Sequence, residues 1–324
     1  MKVLKFGGSS VASPKNIEKV LNIVANSSAE QNVVVVVSAF GKTTNALIKG
    51  ATLASQKNEE YLKVLKELEN HHFEVVKELI PVKHQTPVNS HVKQLFNQLE
   101  TIYEGCFLLR ELSPKTLAKV SSFGELLSSY IIAKAANEEF TTVYKDSREL
   151  IVASDNYNNA IVDFPTTFKK CDEYFSTHSQ KVTIIPGFVA RTIHGKTTTL
   201  GRGGSDFTAS IIAAALNASE LQIWTDVSGM FTANPSIVKQ ASVIDHISYH
   251  EAMELSHFGA KVIYPPTIQP VLRKEIPIVI KNTFQPEDSG TLITKETSIN
   301  MPVKGTSHIA DISLVTIEGN GMVG

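Results

Sequence analysis

The chain of 324 residues is 42% apolar and carries 31 basic against 32 acidic residues, for a net charge of −1. It can bury a large core, and the charge balance excludes a nucleic-acid or polybasic membrane surface while leaving room for a small local anion site. Cys106 and Cys171 lie too far apart for a disulfide framework or zinc site, and neither a signal-peptide core nor a membrane-length apolar run is present, so a cytoplasmic location is expected.

Val3 and Leu4 begin a short apolar strand that runs into Lys5-Phe6-Gly7-Gly8-Ser9-Ser10. Ser13-Pro14 then reads as the entry to a helix over 14–26. Val33–Val37 is too continuous and too β-branched for anything but a buried parallel strand. A helix is expected over 43–56. Residues 57–112 read as a strand-free helical subregion, with Tyr61, Leu65, Leu68, Val75, Val76 and Leu79 at helical spacing, packed over the edge of the main domain. Another helix is expected over 115–137. Strands at 182–185, 221–224 and 276–280 alternate with helices at 205–217 and 248–258. This alternation predicts an α/β fold, a doubly wound and mostly parallel sheet with helices on both faces. Residues 188–192 and 196–199 flank His194-Gly195 and read as a hairpin. From about Lys295 the pattern loosens into a linker, 296–308, followed by a strand through Ile312, Leu314, Val315 and Ile317.

Two glycine clusters carry the chemistry. In Lys5–Ser10 a strand meets two glycines, two hydroxyls and a helix, which aims backbone N–H groups and a helix N-terminus at one spot, beside a lysine. The spacing matches neither the dinucleotide fingerprint nor the P-loop, and the same turn also suits an ordinary strand-to-helix connection. The second cluster, Leu200-Gly201-Arg202-Gly203-Gly204-Ser205-Asp206, opens the 205–217 helix, which Ser205 or Asp206 can cap. Arg202 supplies a planar fork for a carboxylate or phosphate. Two such loops, each with a cation, suggest a site that holds two anions together.

These loops occur in order with Ser121-Ser122-Phe123-Gly124-Glu125, Trp224-Thr225-Asp226-Val227 and Phe258-Gly259-Ala260-Lys261-Val262. On these five segments the chain resembles aspartate kinases of the amino acid kinase superfamily. Ile280-Lys281-Asn282-Thr283 and Ser289–Ile293 look most like the kinase part of bifunctional aspartate kinase–homoserine dehydrogenases. The resemblance implies an amino acid kinase fold, with a catalytic domain over 1–295 and a linker over 296–308. Residues 309–324 then look like the opening of an ACT regulatory domain, so the chain reads as a fragment. It also implies a homo-oligomer, a dimer, for the full-length protein.

The implied reaction moves the γ-phosphoryl of ATP, with Mg²⁺, onto the side-chain carboxylate of L-aspartate, the first step toward lysine, threonine and methionine. The acceptor is already ionised at neutral pH, so the need is for cations and oriented N–H groups rather than a base. By this resemblance Lys5 is the transition-state cation, and Asp206 orients it or helps hold Mg²⁺ with the phosphates; no residue is assigned as a resident metal ligand. Glu125, in an otherwise apolar helix, suits the substrate α-ammonium, with a salt bridge to a protein arginine as its alternative. Arg202 suits the α-carboxylate, and Ser38, Thr44, Gly203 and Ser205 complete the aspartate site. Lys5, Gly7, Gly8, Ser9, Thr225, Asp226, Phe231 and Lys261 form the nucleotide half. Here the chain departs from the family, with Phe231 where tyrosine is common and Asn234-Pro235-Ser236 where Asp-Pro-Arg is common. The histidines lack metal spacing and read as structural or solvated. The alternatives are a kinase for glutamate, acetylglutamate or a nucleoside monophosphate, or an amino-acid-sensing module without catalysis.

Overall fold

The structure, a computed structural model, describes residues 1–157, 160–257, 263–297 and 303–308. Lys261, the expected strand over 312–317 with the rest of 309–324, and residues 298–302 of the linker lie outside the described residues.

The strands are β1 (Lys2–Phe6), β2 (Val33–Val37), β3 (Thr142–Tyr144), β4 (Val152–Ala153), β5 (Val182–Pro186), β6 (Val189–Thr192), β7 (Thr197–Thr199), β8 (Glu220–Thr225), β9 (His246–Ser248), β10 (Ile278–Asn282) and β11 (Thr291–Thr294). The helices are α1 (Pro14–Glu30), α2 (Thr43–Ser55), α3 (Glu60–Leu79), α4 (Val82–Leu109), α5 (Pro114–Ala136), α6 (Phe164–Thr177), α7 (Gly204–Ala215), α8 (Tyr249–His257) and α9 (Gln269–Arg273).

The main sheet runs β3-β5-β2-β1-β8-β10-β11-β9. Its neighbours pair in parallel except β10 with β11. The valine strand is buried on both faces. Val33, Val35 and Val37 pack with α1 to α5, while Val34 and Val36 pack with the core that includes α6, α7 and α9. A strand with no solvent face needs no polar alternation, which is why the run is continuous. Ser13 caps α1 by accepting from the Asn16 N–H, and Pro14 occupies the first turn where its missing N–H costs nothing.

Residues 57–112 hold α3 and α4. Leu65, Leu68, Val75 and Val76 of α3 share one core with Val88, Val92, Phe96 and Leu99 of α4. Gly50 of α2 lets Tyr103 come close enough for its hydroxyl to donate to the Leu47 carbonyl at 2.7 Å. The β6–β7 hairpin forms a small second sheet with β4 and turns at Gly195, with φ +75°. The strands β3, β4, β9 and β11 and the helices α6 and α9 are not expected from sequence. The strands span two to four residues each, too few for a period of two to stand out.

Candidate active site

Strands β1, β2, β5 and β8 are parallel and in register, so Phe6, Val37, Pro186 and Trp224 end at one edge of the sheet. The loops that follow converge there, the usual place for a ligand in an open α/β sheet. Ser38 N–H donates to the Phe6 carbonyl, and Gly41 N–H donates to the Gly8 carbonyl, both at 3.1 Å. A Cβ on Gly8 would stand 3.1 Å from the Gly41 oxygen and 3.3 Å from that of Ala39. The first glycine loop is therefore pressed against the loop after β2.

Between these loops and α5 and α7 lies a cavity of about 240 Å³. Lys5, Ser38, Thr44, Glu125, Ser205 and Asp206 line it, together with Gly201, Gly203, Gly204 and Phe188. Residues from five separate stretches of sequence thus meet in one volume suited to a small molecule.

Lys5 sits near the end of β1 and is 9% exposed. Its Nζ stands 2.7 Å from Asp206 Oδ1, an ion pair whose angles do not make that oxygen a hydrogen-bond acceptor. Asp206 occupies the first turn of α7, where the helix dipole favours an anion. The cap of α7 differs from expectation. Neither Ser205 nor Asp206 caps it; Gly203 does, in the left-handed region at φ +67° and with no side-chain bond. This leaves the Asp206 carboxylate to Lys5 and the Ser205 side chain to the cavity.

Glu125 is 5% exposed in the middle of α5. Its Oε2 is buried and has no hydrogen-bond partner among the described residues. Burial pushes its pKa up to about 8, against the opposing pull of the backbone N–H groups of Ala39 and of Glu125 itself. No protein arginine pairs with it among the described residues. Gly124 allows this placement, since a Cβ there would lie 2.8 Å from that of Ala39 and 3.4 Å from Thr44 Oγ1. One turn on, Ser128 Oγ donates to the Ser38 carbonyl at 2.8 Å, so α5 also fixes the loop that carries Ser38.

Arg202 is exposed on the loop between Gly201 and Gly203, both at positive φ. It does not line the cavity and forms no ion pair among the described residues, so its fork is uncommitted. Phe188 was missed from sequence. It has φ +65°, a region costly for an aromatic residue, and is held there by Thr208 Oγ1, which accepts its N–H at 2.9 Å. A Cβ on Gly204 would meet its ring at 2.5 Å. Nothing in the segment Gly187-Phe188-Val189 signals this.

Of the residues expected in the nucleotide half, Gly7, Gly8 and Ser9 follow β1, and Thr225 and Asp226 lie at the end of its neighbour β8, at the same sheet edge. Gly7 N–H is committed to the Trp224 carbonyl at 3.1 Å, which leaves Gly7 no free donor. The N–H groups of Gly8 and Ser9 have no acceptor among the described residues, and the Ser9 side chain is exposed. Thr225 ends β8, and its hydroxyl donates to Asp226 Oδ1 at 3.2 Å. Phe231 is half-buried and bridges to Val243. The Asn234-Pro235-Ser236 departure makes a closed turn, in which Asn234 Oδ1 accepts from both the N–H and the hydroxyl of Ser236. His72 is fully buried with a pKa lowered by desolvation to about 4, and its Nδ1 lies 2.7 Å from the Leu68 carbonyl, a structural placement.

Among curated relatives, the chain is 34% identical to a bifunctional aspartokinase/homoserine dehydrogenase of Buchnera aphidicola, over 98% of this chain and 40% of that protein. It is 36% identical to aspartokinase 1 of Arabidopsis thaliana, over 90% of this chain and 52% of that one. The chain thus spans about half the length of these relatives or less. Its fold superposes on the crystal structure of Escherichia coli aspartokinase III in complex with aspartate and ADP with a TM-score of 0.84 and 30% identity, covering 92% of this chain and 65% of that one. Residues 1–282, which hold both glycine loops, the Lys5–Asp206 pair and Glu125, match the amino acid kinase family, and the chain belongs to that family.

Proposed function

We propose that this chain phosphorylates the side-chain carboxylate of L-aspartate with ATP, giving 4-phospho-L-aspartate, the first step of aspartate-family amino acid biosynthesis. The observation that carries this reading is the buried, unpartnered oxygen of Glu125 in the same cavity as the Lys5–Asp206 pair. A carboxylate left unpaired at that depth is costly, and a substrate α-ammonium would relieve the cost. The E. coli relative holds aspartate and ADP together, in keeping with a two-anion site.

In the reaction an aspartate carboxylate oxygen attacks the γ-phosphorus, and the bond from that phosphorus to the β,γ-bridging oxygen breaks. The acceptor needs no base, being ionised above its reference pKa of about 3.9. Lys5 places its charge where negative charge spreads over the transferring group, and Asp206 holds the ammonium in that position. The free N–H groups of Gly8 and Ser9 would receive phosphate oxygens, and Arg202 would swing onto the α-carboxylate. Among the described residues no group of three or more His, Cys, Asp or Glu side chains could hold a metal. Mg²⁺ would be carried mainly by the phosphates, with Asp206 as the nearby carboxylate, and would neutralise phosphate charge.

Trapping the acyl phosphate with hydroxylamine tests the assignment. ATP with aspartate should yield hydroxamate. Acetylglutamate should not, because its blocked amine cannot pair with Glu125, and glutamate should react far less. Nucleotide binding with no hydroxamate from any acceptor would favour a sensing module, a reading to which the lost arginine at Ser236 lends some weight.

The same reading takes 1–295 as the catalytic domain, 296–308 as a linker and 309–324 as the opening of an ACT domain, with pairing of full-length chains. No helix among the described residues is long and apolar enough to cross a membrane. The same reading takes the chain to act in the cytoplasm.

A further inference from the structure

The described part of the linker, 303–308, is not loose. Lys304 reaches α8, where its Nζ lies 2.7 Å from Glu251 Oε1 and 3.0 Å from Oε2, and its side chain is 9% exposed. Glu251 is itself engaged. It closes a capping box at the start of α8, accepting from the Ser248 N–H at 2.9 Å and the Ser248 hydroxyl at 2.8 Å. Burial alone would raise its pKa, but the Lys304 contact, followed by the Ser248 donors, brings it down to about 2.

Two residues on, the linker meets a second element. Thr306 N–H donates to the Thr232 carbonyl at 2.8 Å. Thr232 belongs to a ladder, in which its N–H donates to the Ser242 carbonyl at 2.8 Å, the Ser242 N–H returns to its hydroxyl at 3.1 Å, and Phe231 bridges to Val243. Between these two anchors Gly305 passes so close that a Cβ would stand 3.2 Å from the Thr232 oxygen and 3.4 Å from both Ile244 and Leu255. The linker therefore fastens α8 to the 231–243 ladder. By the family resemblance Phe231 belongs to the nucleotide half, and in sequence α8 precedes Lys261, which the same resemblance assigns there.

We infer that Lys304 is a positioning residue for the nucleotide site, with the Lys304–Glu251 pair and the Thr306–Thr232 bond holding Phe231 and α8 in the arrangement that binds ATP. This rests on the kinase reading of the site. The cavity side chains of the aspartate half come from other elements, so the pair should govern nucleotide affinity while sparing aspartate.

The test is ADP binding by calorimetry on the 324-residue chain, with KM values for both substrates. Lys304→Met keeps the apolar stem and removes the charge. It should weaken ADP and raise the KM for ATP by about tenfold, equal to about 1.4 kcal/mol. The KM for aspartate and kcat should stay within about twofold. Glu251→Gln should act in the same direction, and the double variant should be no worse than the stronger single one, since both break one pair. Lys304→Arg should restore most of the affinity. Equal ADP affinity in folded Lys304→Met, or an equal rise in both KM values, would overturn the inference and leave the kinase assignment intact. A wild-type chain that binds no ADP would overturn both.

Discussion

The Glu125 carboxyl allows a direct measurement of what burying an ionisable group in α5 costs the fold. In the unfolded chain it titrates near its ordinary 4.5, and in the fold near 8. Between those values the native state keeps a proton that the unfolded state has released. The unfolded state binds fewer protons there, so this group makes stability fall as pH rises, by up to about 1.4 kcal/mol per pH unit. The penalty is absent below 4.5 and complete above 8, where it amounts to at most about 5 kcal/mol. Glu125→Gln keeps the shape and removes the titration. The variant should match the wild type near pH 4.5 and exceed it progressively up to pH 8, as read from urea-unfolding midpoints at each pH. A second consequence concerns the ligand. An α-ammonium paired with Glu125 favours the ionised form, so aspartate binding at pH 7 should release close to one proton. Calorimetry in buffers of different ionisation enthalpy measures that proton, and Glu125→Gln should abolish it while raising the KM for aspartate. Parallel stability–pH curves for the two proteins, together with no proton release, would refute the reasoning.

Lys5→Met should lower kcat by a factor of about a hundred to a thousand, in line with about 2.7–4 kcal/mol for one transition-state donor; near-normal kcat in a folded variant would remove Lys5 from the mechanism. Arg202→Ala should leave thermal stability within about 0.5 kcal/mol, because the side chain is exposed and forms no ion pair among the described residues. It should also raise the KM for aspartate by roughly tenfold to a hundredfold, from about 1.5–3 kcal/mol for a hydrogen bond to a charged group. If the ATP KM moves instead, Arg202 belongs to the phosphates. Gly290→Ala puts a Cβ 2.0 Å from the Ile280 carbonyl at φ +80°, in the turn between β10 and β11. It should cost more than the roughly 1–2 kcal/mol of left-handed strain alone, and an unchanged melting temperature would contradict the turn geometry.

Much of this was legible in the chain because it depends on neighbours in sequence. Val33–Val37 could be read as a doubly buried strand, since its composition allows no solvent face. Ser13-Pro14 announced a helix start through a local bond and a fixed φ. The two glycine loops and their lysine and arginine marked an anion site through local spacing, and five segments in order carried the family. What sequence could not decide depends on contacts between distant residues. Whether Glu125 is paired or orphaned is set by α5 lying against Ala39, which needs Gly124 to be bare. Gly7 loses its donor to Trp224, more than two hundred residues away, so one glycine of an apparent phosphate loop serves the sheet instead. The cap of α7 falls to Gly203 rather than to the better capping side chains beside it, which lie inside the first turn, where Asp206 meets Lys5 of a different strand. Phe188 holds a left-handed conformation that its own sequence disfavours, under the hold of Thr208 and the space left by Gly204. Local propensity specifies elements, but close packing and buried charge select among the conformations those elements allow, and that selection is made by residues far away along the chain.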